Sequence, residues 1–65
     1  MTTKEYIKAW DGFTPLWLNV NTKEGITDTE RLTSKKQYDS YFDSWEVGYI
    51  TTDGNGEATI CIYER

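Results

Sequence analysis

Asp39, Asp43 and Glu46 follow one another at intervals of four and three residues, interleaved with Tyr38, Tyr41, Phe42 and Trp45. On an α-helix this spacing sets the three carboxylates along one flank, beside a stripe of aromatic rings. Carboxylates held on a rigid element can pair with the Arg and Lys side chains that ordinarily hold phosphates, and Tyr rings add contact area at small entropic cost. Asp39, Asp43 and Glu46, with neighbouring Tyr38 and Tyr49, are therefore the candidate partner-binding residues. The arrangement carries a penalty. Like charges four apart on a helix repel by a few tenths of a kcal/mol, and acids near its C-terminus oppose the macrodipole at about 0.3–1 kcal/mol each. Local rules broken without visible compensation mark places where function is expected. The competing account is a solvated acidic face that keeps a small protein in solution.

Other chemistry is largely excluded. The 65 residues contain no His and one Cys, so Ser-His-Asp and Cys-His nucleophile pairs cannot be built within the chain. A structural zinc site is excluded on the same count, since it takes about four Cys or His ligands. Cys61, between Ile60 and Ile62, reads as a buried or half-buried strand thiol. The run Asp53-Gly54-Asn55-Gly56-Glu57 has the look of a calcium loop. With Gly56 at the sixth position, however, Ile62 falls where the bidentate acid must be, so a tight turn is the better account. Carboxylate pairs can do acid–base work only in a cleft that separates their pKa values, and a chain of this length has little volume for one. We expect no catalysis, no cofactor and no metal.

The charge is unevenly placed. Eleven acids against seven bases give a net charge of −4. Met1 to Lys36 is nearly balanced, whereas Gln37 to Glu64 holds six acids and no base. Short, acidic, aromatic-rich and cysteine-poor, the chain resembles in composition the small acidic proteins of phages and mobile elements that inhibit nucleic-acid enzymes as DNA mimics. The resemblance implies a non-catalytic inhibitor or accessory factor, phage- or plasmid-borne, docking on a protein with a basic surface. Two alternatives stay open. One is a homodimer joined through a sheet edge, since a small core gains much from self-association. The other is a platform that stacks single-stranded nucleic acid on Trp10, Trp17, Tyr49 or Tyr63, although the cationic track that phosphates require is missing.

One cysteine argues for a reducing compartment. Met1 to Tyr6 starts no apolar run of leader length, and no stretch approaches the roughly 18 apolar residues of a membrane span. A cytoplasmic protein with no membrane partner is expected.

The elements that must position these residues read as one α+β domain over residues 1–65. Asp53-Gly54-Asn55-Gly56 separates strand-like runs 45–52 and 57–64, a hairpin whose turn residues accept positive φ. Asp11-Gly12 between runs 4–10 and 13–20 suggests a second hairpin, with Pro15 placing its second arm at an edge or bulge. Against it stands a helical reading of the N-terminus, because Thr2 with Glu5 forms a capping box and Tyr6, Ile7 and Trp10 have helical spacing. Thr27-Asp28-Thr29-Glu30 and Ser34-Lys35-Lys36-Gln37 are capping boxes too, and with the aromatic stripe they predict a helix over 28–44. The expected fold is a two-layer ββαββ domain, an antiparallel sheet of two hairpins packed on a central helix.

Overall fold

The computed structural model describes all of residues 1–65. A single helix, α1 (Thr3–Ala9), comes first, followed by strands β1 (Leu16–Asn21), β2 (Thr27–Leu32), β3 (Glu46–Thr52) and β4 (Ala58–Tyr63). Between β2 and β3 lie only two short 3-10 turns, Lys35–Gln37 and Ser40–Phe42. The four strands form one sheet in the order β2-β1-β4-β3. Both outer pairs are antiparallel and the central β1–β4 pair is parallel, so the sheet is mixed. The domain is α+β, but the ββαββ order is overturned: the helix leads, and no helix stands in the middle.

At the N-terminus the capping box prevails over the Asp-Gly hairpin. The Thr2 hydroxyl accepts the Glu5 N–H, and the Glu5 carboxylate accepts the Thr2 N–H at 2.8 Å. Ile7 and the small Thr3 face inward. Asp11 then makes a turn by itself, its Oδ1 accepting the N–H groups of Phe13 (2.9 Å) and Thr14 (2.8 Å). Gly12 supplies the positive φ that this turn needs. Asp11-Gly12 thus links helix to strand instead of strand to strand. Pro15 lies just outside β1, which is a central strand and not an edge.

The expected helix over 28–44 fails at both ends. Residues 27–32 alternate Thr27 and Thr29 with Asp28 and Glu30, and this β-branched alternation goes into edge strand β2. Ser34 does open a helical turn with the predicted box, its hydroxyl accepting Lys36 N–H while Gln37 reaches back to the Ser34 N–H. The turn ends after three residues because Tyr38 and Asp39 are extended. Asp39 then caps a second turn by accepting the Tyr41 N–H at 2.9 Å. Ser and Asp side chains that bond nearby amides compete with continuous helix, and here they divide it. Hairpin β3–β4 forms around the Asp53–Gly56 turn, with Asp53 N–H donating to the Glu57 carbonyl at 2.9 Å. A bulge between Val47 and Tyr49 shifts the register, so Tyr49 does not share a face with Val47.

Leu16, Leu18 and Val20 of β1 and Ile60 and Ile62 of β4 line one sheet face, packed with Ile7, Leu32 and Trp45. Aliphatic side chains make this core. Trp45 is the one aromatic fully inside it, while Tyr6, Trp10, Tyr38 and Phe42 pack around the rim. The opposite face carries Trp17, Asn19, Thr59, Cys61, Tyr49 and Tyr63 and is covered by no element. No helix is long and apolar enough to cross a membrane.

Candidate functional site

Without a helix over 28–44, the single ridge of Asp39, Asp43 and Glu46 does not exist. Three of the five candidate residues still come together. Tyr38 donates its hydroxyl proton to Asp43 Oδ1 at 2.7 Å, and Asp39 caps the intervening 3-10 turn. The half-buried Tyr38 phenol is held well above its ordinary value, first by burial, then by the bond to Asp43 and the negative charges of Asp43 and Asp39. A phenol in that state is a fixed donor at neutral pH and orients the Asp43 carboxylate. Main-chain bonds lock the same turn against α1, since Lys4 N–H donates to the Asp43 carbonyl and Thr3 N–H to that of Trp45. Beneath it, Phe42 meets the Trp45 ring edge to face at 4.9 Å, and exposed Tyr41 lies against both.

Glu46 and Tyr49 are elsewhere. Glu46 opens β3 and takes an ion pair from the Met1 amino group at 3.1 Å. Tyr49 lies on the open face of the sheet, with its phenol raised above the ordinary value chiefly by the Cys61 thiol beside it. Cys61 is buried between Asn19 and Tyr49 on the neighbouring strands.

A second polar cluster crosses the sheet and escaped the sequence reading. Arg31 reaches Glu57 with a two-pronged contact, Nε to Oε1 at 3.1 Å and Nη2 to Oε2 at 2.9 Å. Trp17 Nε1–H donates to the same Oε1 at 2.7 Å, and the guanidinium lies 5.9 Å from the Trp17 ring centre. These bonds hold the Glu57 carboxyl below its ordinary value, with Arg31 the larger cause. No local signal joins these residues. Only the register that places Trp17 opposite Arg31 brings them within reach.

The ion pairs of Glu46 with the Met1 amine and of Glu57 with Arg31 are the only two in the protein. Of the six acids between Gln37 and Glu64, Asp39, Asp43, Asp53 and Glu64 have no cationic partner. They are nevertheless fixed, because each accepts a hydrogen bond: Asp39 from Tyr41 N–H, Asp43 from Tyr38, Asp53 from the Asn55 and Glu57 amides, and Glu64 from Lys23 N–H. No three carboxylate or thiol side chains converge as a metal ligand set would. The surface around these residues has no cavity.

No protein-family model, curated protein or solved structure matches this chain.

Proposed function

We propose that the protein is a non-catalytic binding domain that docks on a basic protein surface, its carboxylates standing where nucleic-acid phosphates would otherwise sit. One observation carries this reading: the acids of residues 37–64 are oriented by hydrogen bonds, yet four of the six lack a cation of their own. A carboxylate already fixed by a neutral donor loses little entropy when an Arg or Lys arrives, and its charge remains available. An inhibitor or accessory factor of a nucleic-acid enzyme, of the kind phages and plasmids carry, fits this chemistry. The nucleic-acid platform is less favoured. Arg31 is the only cation among the strand residues of the open face, and it is committed to Glu57.

Retention of basic nucleic-acid-binding proteins on the immobilised domain tests the reading. Retention is expected at about 0.05 M salt and release as ionic strength approaches about 1 M, where screening shortens to about 3 Å. The variant Asp39→Asn, Asp43→Asn keeps the acceptors and removes the charge, so it should retain markedly less while unfolding at nearly the same temperature. Equal retention by parent and variant refutes the proposal.

A further inference from the structure

The sheet has two edges, and they differ. Edge strand β2 carries Asp28, Glu30 and Arg31 within six residues, the charged composition that blunts an edge against further pairing. Edge strand β3 has no charged residue from Val47 to Thr52, and its Tyr49 and Ile50 are 57% and 51% exposed. Main-chain geometry makes that edge receptive. Asp53 N–H bonds the Glu57 carbonyl, so by antiparallel alternation Thr51 and Tyr49 also turn their amide groups toward β4. Ile50 and Thr52 fall between them and direct N–H and C=O outward, with no further strand to meet them.

The start of the same edge already accepts an extended segment of this chain. Val47 N–H donates to the Met1 carbonyl at 3.0 Å, and Thr2 bridges Glu46 in antiparallel sense. Beyond that point Gly48–Thr52 is open. In sequence it is bracketed by Glu46, which pairs with the Met1 amine, and by Asp53, which has no cation, within a stretch of six acids and no base, residues 37–64. A second copy would bring two such regions together, whereas a cationic strand would meet complementary charge.

We propose that the Gly48–Thr52 edge of β3 is a strand-addition site, and that its occupant is an extended segment of another protein with basic residues flanking a short uncharged centre. This rests on the basic-partner reading above and names the manner of contact: main-chain bonds to Ile50 and Thr52 supply the pairing, and Asp53, the flanking acid without a cation of its own, selects the charge.

Amide exchange on the full chain, titrated with three synthetic peptides, tests it. The first alternates Thr and Val between lysine pairs, the second replaces that centre with Gly and Ser, and the third replaces the lysines with glutamates. The first should slow exchange at the Ile50 and Thr52 amides at least about tenfold, and the other two should not. Ile50→Pro removes only an outward N–H and should abolish protection at Thr52. Ile50→Lys, which repels a cationic strand without altering the backbone, should weaken it. If both lysine peptides bind equally and leave Ile50 and Thr52 unprotected, strand addition fails and the basic-partner reading survives. If neither lysine peptide binds at low salt, both fail. Equal protection by the glutamate peptide refutes the charge selection. Protection that rises with protein concentration in the absence of peptide identifies a second copy as the occupant and overturns the proposal.

Discussion

Replacing Gly48 with alanine tests whether the β3 bulge exists to seat the Tyr63 ring. A Cβ built on Gly48 would lie 2.1 Å from Tyr63 Cε2, 2.7 Å from Cδ2 and 3.2 Å from Cζ. The ring must retreat by more than about 1 Å to regain an ordinary carbon contact near 3.5 Å. Overpacking of this kind costs about 1–3 kcal/mol, offset by about 0.5–1 kcal/mol from the lower unfolded-state entropy of alanine. Tyr63 is 42% exposed and can swing outward, which holds the net cost to about 1–2 kcal/mol. In a domain of this size each kcal/mol lowers the melting temperature by about 4–8 °C. The assay is a double-mutant cycle of Gly48→Ala with Tyr63→Ala, read by denaturant unfolding. With Tyr63 truncated, Gly48→Ala should become neutral or stabilising, giving a coupling of about 1–2 kcal/mol. A coupling below about 0.3 kcal/mol would sink the argument, because the glycine would then be required for some reason other than the ring.

The core and the titrating groups give further expected outcomes. Ile60 is fully buried in the central strand, so Ile60→Ala should cost about 2–5 kcal/mol in denaturant unfolding. Phe42→Ala at the rim should cost clearly less, whereas equal costs would mean that the rim carries as much of the stability as the sheet. The carboxyls of Glu5, Asp11 and Glu57 are all held below their ordinary values, by Thr2, by Thr14 and Phe13, and by Arg31 and Trp17 respectively. A depressed carboxyl contributes stability that is complete above its unfolded pKa and disappears as pH falls through the folded one. The melting temperature should therefore fall as pH drops below about 4.5, and Glu57→Gln should flatten that decline. Tyr38 behaves oppositely: its raised phenol contributes stability up to its ordinary value of 10.0, and that stability is lost at higher pH, so Tyr38→Phe should flatten the alkaline limb of a thermal pH profile.

What the sequence determined by itself was local. The Asp53–Gly56 turn, the Ser34–Gln37 capping box and the strand character of residues 57–64, formed over Ala58–Tyr63, each depend on contacts within a few positions, and each forms, as does the Thr2–Glu5 box that the expected fold set aside for an Asp11-Gly12 hairpin. The same short range explains the failures. Tyr38, Tyr41, Phe42 and Trp45 have the period of a helix, but period alone does not count the competing caps at Ser34 and Asp39, which break the segment into two single turns. The Thr27 capping box was outweighed by six cross-strand partners in β1 that no nearby residue announces. Only the tertiary structure decided that β1 and β4 run parallel at the centre, that Arg31 and Trp17 converge on Glu57, and that Tyr49 lies away from Asp39 and Asp43. It also decided which edge keeps its charges and which does not, since strand order is set by burying Leu18, Ile60 and Ile62 together, a demand that acts between residues far apart in the chain and leaves no mark at any one of them.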